Sequence, residues 1–330
     1  MVFVKEGRYL SFGHQGSGST KGFILTELII SLAIFLIITA AILNSLTLSS
    51  NKITAFMDYR KAMIRTAKAV ALLKMPAFYC GFGMPVGAAE YKKAFGNQKF
   101  DPFRWEGPIK SYNGPSSFAD SELRIAFAAP GRSRLTKMTL SEAKEGYLYL
   151  DKLPEKGDIG ESFSGYSFDI RNWIFFADTF PPGLPFCITG LSGKIMTVKN
   201  YISPAFSILQ NDRLYHFRAI RIYCLNGTVY TKDHRSPGDQ PRVSGIMDMR
   251  FQVDAELKTL TVYVLARGDH EYSEKREIID AYLWPEEYIS PWKDKRSKYQ
   301  LYASKTVWRL PNCTRENLMN MENASIKEQF

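Results

Sequence analysis

The stretch KGFILTELIISLAIFLIITAAIL, residues 21–43, is apolar from Phe23 onward apart from Glu27 and a few small hydroxyl residues. A helix over 23–43 would rise roughly 30 Å, the thickness of the hydrocarbon core of a membrane. We therefore predict one membrane span here. Three basic residues lie in front of it, Lys5, Arg8 and Lys21. The positive-inside rule then predicts a cytoplasmic N-terminus, with the remainder of the chain outside.

Glu27 distinguishes between three interpretations of this span. A cleaved secretory signal ending near Ala41 would have a shorter apolar core and no carboxylate. A plain signal anchor accounts for the length and the flanking charges, but it gives no reason for an ionisable residue at membrane depth. Such a residue costs a few kcal/mol, on the order of 3, and is usually functional or paired. The third interpretation comes from the residues just before it.

Residues 21–28, KGFILTEL, closely resemble the prepilin signal of type IV pilins and type II secretion pseudopilins. In that family a membrane peptidase cuts after the glycine and methylates the new N-terminal residue. The resemblance implies that 1–22 is a cytoplasmic leader removed by cleavage between Gly22 and Phe23, and that Phe23 becomes N-methylated. It also implies that Glu27 is an assembly residue. A buried carboxylate there can pair with the terminal amine of a neighbouring subunit, which offsets the burial of both charges.

The helical pattern continues beyond the span, and we predict a helix over 23–75 that ends before Pro76. Its second half is amphipathic. The residues predicted to share its apolar face are Leu46, Ile53, Phe56, Met63, Ala67, Val70 and Ala71. A long helix of which one half lies in lipid and the other packs on a globular domain is the pilin architecture.

From Pro76 the composition changes to Gly, Pro, Ser and aromatic residues with short alternating runs, which predicts an extracytoplasmic β-rich domain over 76–330. The fold class is thus α+β, pilin-like, with an antiparallel sheet and large loops. The predicted strands are 123–128, 146–150, 173–176, 194–198, 218–224, 228–232, 246–253 and 259–266. Asn226-Gly227 predicts a tight hairpin. Asp248 and Arg250 are expected to face outward from their strand.

Three late segments, RIYCLNGTVY, VSGIMDMRFQVD and LKTLTVYVLARGD, are similar in order and pattern to the C-terminal sheet of large minor pilins and pseudopilins of the W and J types. The residues that match are Val243, Gly245, Ile246, Phe251, Val262 and Arg267. The resemblance covers the first 75 residues and 218–267. It leaves 76–214 without an assigned role, and inserted loops are expected there.

The chain has four cysteines, Cys80, Cys187, Cys224 and Cys313. An even number outside the cytoplasm favours disulfides, and three pairings are open. Cys80 follows the long helix and is positioned to tie it to the sheet. No Cys-x-x-Cys spacing occurs and the four histidines are isolated in sequence, so we predict no metal site and no cofactor.

Residues 282–330 are predicted to form a C-terminal extension in which tryptophans and tyrosines alternate with lysines and arginines, including Lys293 and Arg309. Such a mixture suits stacking on single-stranded nucleic acid. We favour the simpler interpretation, in which the aromatic rings cover the sheet and the cations face solvent. The net charge of +10 is spread along the chain and does not by itself indicate a partner.

The sequence contains no Gly-x-Ser-x-Gly elbow and no EF-hand loop, and we predict that the protein is not an enzyme. The expected function is that of a minor type IV pilin, which primes assembly at or near the pilus tip and contributes to motility, adhesion or DNA uptake. Its expected partners are other pilins, the prepilin peptidase and the inner-membrane assembly platform. A type II secretion pseudopilin is the alternative, and a signal-anchored extracytoplasmic enzyme is a disfavoured second one.

Overall fold

The computed structural model describes residues 20–85, 89, 91–92, 102, 105, 107–114, 119–140, 145–155, 159, 170–176, 184–200, 210–236, 238–288, 295–315 and 318. A long N-terminal helix is followed by antiparallel strands, so the α+β layout predicted from the sequence is confirmed. The chain forms two compact units, Met1–Phe56 and Met57–Phe330.

The helix α1 spans Thr20–Tyr79 and contributes to both units. In the first unit its apolar side chains are exposed on all sides, with Leu28, Phe35 and Ile37 each about two-thirds exposed. This helix is long and apolar enough to cross a membrane. A helix is suited to the hydrocarbon core of a membrane because it satisfies its backbone hydrogen bonds internally. Ser31 and Thr47 likewise donate their hydroxyl groups to the carbonyl oxygens four residues earlier.

In the second unit one stripe of α1 is buried beneath the strands. Its members recur every three or four residues and are mostly small: Asp58, Ala62, Thr66, Ala69, Leu73 and Ala77. Cys80, just after the helix, is also buried. The apolar face predicted from the sequence was therefore wrong, because Met63, Ala67 and Ala71 are exposed. Small side chains allow the strands to approach the helix closely. Leu73 is the large apolar residue of this stripe, whereas Met57, Ile64, Met75 and Phe78 are exposed.

The end of α1 also differs from the prediction. Pro76 lies inside the helix, which continues to Tyr79. A proline inside a helix removes one backbone hydrogen bond and crowds the carbonyl group four residues earlier, which disfavours a helix without forbidding it. Pro76 is buried. The chain turns instead at Gly81 and Gly83, which have φ values of +76° and +64° that favour glycine.

Twelve strands are described. They are β1 Ile109–Tyr112, β2 Ala119–Leu140, β3 Glu145–Leu150, β4 Trp173–Phe176, β5 Leu184–Ser192, β6 Ile195–Asn200, β7 Arg213–Leu225, β8 Thr228–Asp233, β9 Gln240–Ser244, β10 Ile246–Asp254, β11 Thr259–Glu277 and β12 Arg296–Arg309. Short 3-10 helices cover Ile170–Asn172, Ala281–Leu283 and Glu286–Tyr288. The predicted hairpin joins β7 to β8, with positive φ at both Asn226 and Gly227.

Nine of these strands form one sheet in the order β1-β2-β3-β6-β5-β4-β7-β8-β9, and β2 also pairs with β7. The pairing of β2, β3, β6, β5, β4 and β7 is consequently closed into a ring. All six strands contribute to one buried cluster, whose members include Leu135, Leu148, Phe176, Phe186, Met196 and Leu214. The region left without a role by the sequence, 76–214, thus supplies five strands of this ring in addition to β1.

The strands β10, β11 and β12 form a second, antiparallel sheet. Residues from α1, β10 and β11 share one buried cluster, while Trp284 belongs to a different cluster with Tyr263 and Leu301. Asp248 and Arg250 are 4% and 3% exposed, so the expectation that they face outward was wrong. Segments on both sides cover this sheet, and Arg250 reaches the carbonyl oxygen of Gly114 and lies over the Tyr288 ring.

Part of the predicted C-terminal extension is a strand of this second sheet. β12 pairs with β11 from Thr259↔Arg309 to Glu277↔Arg296. The sequence of β12 lacks the alternation of apolar and polar residues that indicates a strand, because charged and aromatic residues occupy both of its faces.

Candidate functional site

The residues of the predicted prepilin signal lie at the start of α1. The bond between Gly22 and Phe23 is in its first turn, and the leader before Thr20 lies outside the described residues. Glu27 is exposed on α1. It is the only ionisable residue between Lys21 and Lys52. One carboxylate therefore stands alone on an otherwise uncharged helical surface. Counted to Asn51, that surface is roughly two to three turns longer than a single membrane crossing needs.

A second polar feature fastens α1 to the sheet in the other unit. Asp58 is fully buried, and its carboxylate accepts three kinds of donor from β11. The backbone N–H of Asp269 donates to Oδ1 at 3.1 Å, and the Tyr272 hydroxyl donates to Oδ2 at 2.7 Å. His270 places Nδ1 3.0 Å from Oδ1. A carboxylate only accepts, so this nitrogen carries the proton.

The surroundings keep Asp58 ionised. Burial alone raises the pKa of its carboxyl group, but the hydrogen bonds from Tyr272, His270 and the Asp269 N–H outweigh that effect, so the pKa is lowered overall. Next to it, hydrogen bonds from Lys61 and Arg65 lower the pKa of Asp269 to about 2. We call this group of side chains the Asp58 node; its members are Asp58, Lys61, Arg65, Asp269, His270 and Tyr272.

Two glycines explain why α1 approaches so closely at the Asp58 node. A Cβ on Gly268 would lie 2.5 Å from the Cβ of Asp58, and a Cβ on Gly245 would lie 2.8 Å from the Arg65 guanidinium. Arg65 also donates to the carbonyl oxygen of Arg267 at 2.7 Å. Gly245 and Arg267, which carried part of the resemblance to minor pilins, thus meet the same helical arginine.

In the second unit, the face of α1 opposite its buried stripe is exposed and carries large apolar residues among the cations Arg60 and Lys68. Met57, Ile64, Met75 and Phe78 recur there at helical spacing and are between 42% and 58% exposed. We call these four residues the outer apolar face. Near its end is a cavity of about 330 Å³, lined by Lys74, Met75, Phe78, Tyr79, Trp308 and Arg309.

All four cysteines are buried thiols in the structure. Cys80, at the end of α1, and Cys313, after β12, have their Sγ atoms 3.5 Å apart. Cys187 lies on β5, and Cys224 lies on β7, where its thiol is 3.9 Å from the carbonyl oxygen of Ile246. The sequence identified these residues as disulfide candidates without choosing among the pairings.

Many of the aromatic rings at the C-terminal end pack against the sheet. Trp284 is 5% exposed, Tyr302 meets the Tyr59 ring edge-on, and Trp308 packs against the main buried cluster. Several cations there have protein partners, since Lys298 contacts Glu271 and Lys305 lies over the Tyr263 ring. Lys293 lies outside the described residues.

No protein-family model, curated protein or solved structure matches this chain significantly. Within the part of the chain that the structure describes, no group of three His, Cys, Asp or Glu side chains is placed to hold a metal ion. The candidate functional features are therefore defined by geometry alone. The first unit has the start of α1 with Glu27, and the second unit has the outer apolar face and the Asp58 node.

Sequence reasoning missed the Asp58 node. Asp58 and His270 are 212 residues apart, and neither belongs to a motif. The sequence signal for a buried Asp58 was its place in line with the small residues of the helix. This signal indicates burial only if the small residues, rather than the larger apolar ones, are taken as the buried face.

Proposed function

We propose that the protein is an accessory subunit of a type IV pilus-like fibre. It is held in the inner membrane by the first part of α1, is cut after Gly22 and methylated at Phe23, and then enters the fibre at or near its tip. The prepilin peptidase, the inner-membrane assembly platform and other pilins are its partners. The protein acts by incorporation and not by turnover.

The observation that carries this proposal is the single carboxylate, Glu27, on an exposed apolar helix directly after Gly22 and Phe23. An isolated charge at membrane depth needs an opposite charge nearby. Cleavage would create one, because the new N-terminus is an ammonium group. A neighbouring subunit's terminal ammonium can pair with Glu27 and thereby set the axial register between two helices.

The outer apolar face supports the same function. Large apolar residues such as Met57, Ile64 and Phe78 are exposed along one side of the helix outside the span, and exposed apolar patches mark surfaces that bind a partner. The α1 helices of neighbouring pilins are the occupants we assign to this face. A pilus and a type II secretion pseudopilus both pack subunits in this way, so a pseudopilin remains the alternative. Loss of pilus-dependent surface motility, against loss of exoprotein secretion, separates the two.

Mass analysis of the N-terminus of the mature protein tests the processing step. It should begin at Phe23 and carry one added methyl group. A protein that begins at Met1, or after Ala41, would contradict the proposal.

Glu27→Ala tests the assembly step. The variant should be processed and held in the membrane as the natural protein is, but should be depleted from sheared fibres by about tenfold or more, since a lost charge pair of about 1.4 kcal/mol already changes an equilibrium tenfold. Ser31→Ala, one turn further along, is the matched control and should assemble normally. Equal incorporation of both variants would refute the role of Glu27.

A further inference from the structure

The end of α1 and the segment after β12 are held together at Cys80 and Cys313. Their thiols are 0% and 2% exposed, and the two Sγ atoms lie 3.5 Å apart. The Cys313 thiol is also 3.5 Å from the carbonyl oxygen of Cys80. A disulfide bond joins sulfur atoms about 2.05 Å apart, and the two Sγ atoms at 3.5 Å are already in van der Waals contact.

The backbone around the two thiols is fixed by further contacts. The Asn312 side chain donates to the carbonyl oxygen of Phe78 at 2.9 Å, and the Gly81 N–H donates to the carbonyl oxygen of Ala126 at 3.0 Å. A Cβ on Gly81 would lie 2.8 Å from the Asn312 carbonyl oxygen and 3.0 Å from the Cys313 sulfur. Glycine at this position thus permits the close approach of the two segments.

We propose that Cys80 and Cys313 form a disulfide bond in the mature protein and thereby tie the end of the long helix to the segment that follows β12, the last described strand. The bond closes a loop that contains every described strand, β1 to β12. The proposal rests on the proposed function for one condition, namely that this unit lies outside the cytoplasm, where disulfides persist.

The chemistry is a two-electron oxidation by thiol–disulfide exchange. A thiolate of the pair attacks a disulfide donor, and a mixed disulfide forms as one donor thiolate leaves. The second cysteine thiolate then displaces the remaining donor thiolate. Two protein thiols become one disulfide, and the donor disulfide becomes two thiols. Burial raises the pKa of the Cys80 thiol well above its usual range, and the hydrogen bond with Cys313 is a second, smaller cause in the same direction. The exchange therefore takes place while the chain folds, before the thiols are enclosed.

A cut in the loop provides the test. A protease site is inserted after Gly238, where an added Cβ would meet nothing within 4 Å. It is placed in the full chain carrying Cys187→Ser and Cys224→Ser, so that only Cys80 and Cys313 can join the fragments. After complete cleavage the protein from membranes should run as one species without reductant and as two with it. The same protein carrying Cys313→Ser should separate without reductant.

Two fragments without reductant would overturn the pairing if the reduced, purified chain also fails to close in a buffer of reduced and oxidised glutathione. If closure occurs in that buffer but not in cells, the pairing stands and the extracytoplasmic placement in the proposed function fails. Should the double serine variant not accumulate, peptide mapping of the alkylated natural chain decides. A peptide that joins Cys80 to Cys313 supports the proposal, and alkylation of both, or linkage of either to another cysteine, contradicts it.

Discussion

Replacement of Asp58 should weaken the attachment of α1 to β11 more than any other single polar substitution on this helix. The Asp58 carboxylate is fully buried and accepts hydrogen bonds from the Asp269 N–H, the His270 ring and the Tyr272 hydroxyl. Asp58→Ala leaves all three donors without their acceptor. Asp58→Asn keeps the shape and one acceptor oxygen, but turns an NH₂ group towards a donor.

The magnitude follows from the surroundings of each donor. A hydrogen bond to a charged group contributes about 1.5–3 kcal/mol. The His270 side chain is 59% exposed, so water replaces much of its bond, and a full sum over three bonds would be too large. We expect Asp58→Ala to lower the free energy of unfolding by about 3 kcal/mol and Asp58→Asn by about 1–2 kcal/mol. For a unit of this size, 3 kcal/mol corresponds to roughly 5 °C in Tm.

Urea unfolding of the full chain in detergent micelles, followed by tryptophan fluorescence, measures these changes, because Trp105, Trp173 and Trp284 are buried in the second unit. Glu286→Gln is the control, since this carboxylate is exposed, and it should unfold as the natural protein does. A double-mutant cycle of Asp58→Asn with Tyr272→Phe isolates their shared hydrogen bond, and the coupling should be about 1 kcal/mol.

The pH dependence supplies an independent check. Because the pKa of Asp58 is lowered in the folded state, its contribution to stability is fully present above the unfolded-state pKa of about 3.9 and is lost as the pH falls through the lower, folded-state value. The difference in unfolding free energy between the natural protein and Asp58→Asn should be constant above roughly pH 5 and shrink below about pH 4. A loss of less than about 0.5 kcal/mol for Asp58→Ala, or a difference that does not change in acid, would refute the reasoning.

Two further substitutions test neighbouring features. Gly268→Ala would place a methyl group 2.5 Å from the Cβ of Asp58, and it should cost about 1–3 kcal/mol in urea unfolding, whereas Gly190→Ala, whose nearest contact would be 3.4 Å, should cost much less. Burial raises the pKa of Asp248 to about 7 in spite of Arg250. Between about pH 4 and 7 the folded state then holds a proton that the unfolded state has lost, so this site lowers stability as the pH rises, by at most about 1.4 kcal/mol per pH unit. Asp248→Asn should remove that slope, and an unchanged slope in calorimetry across this range would contradict the assignment.

Local patterns in the sequence were sufficient for the elements that local physics decides. The apolar run at 23–43 predicted a helix, and Asn226-Gly227 predicted the two-residue hairpin, since both residues need positive φ. The failures concern which face is covered. Asp248 is polar in a strand, which normally indicates solvent, but here the sheet is covered on both sides. β12 has no simple alternation because charged and aromatic residues occupy both of its faces.

The same distinction separates the functional residues that the sequence could predict from those that it could not. Gly22, Phe23 and Glu27 are neighbours in sequence, so a motif was enough to identify them. Cys80 and Cys313, by contrast, meet across 233 residues, and nothing in their spacing selects this pair. Pairings at such distances are decided by the order of the strands, which closes β2 to β7 into a ring and returns β12 to the sheet beside α1.

The two faces of α1 in the second unit differ in what they contact, and this difference indicates which part of the molecule serves assembly in the proposed function. Burial of a large apolar side chain contributes about 1.5–3 kcal/mol. In the second unit the strands cover mostly small residues of α1 with Leu73 and Asp58, and the large Met57, Ile64 and Phe78 stay exposed. This arrangement lowers the folding stability of the isolated subunit. It also leaves an apolar area exposed where neighbouring helices of a fibre would bury it. A pilus and a pseudopilus would use this face alike. The features that suit the protein to one machine are therefore expected in strands β3 to β6 of the closed ring, whose buried residues belong to clusters that do not include α1.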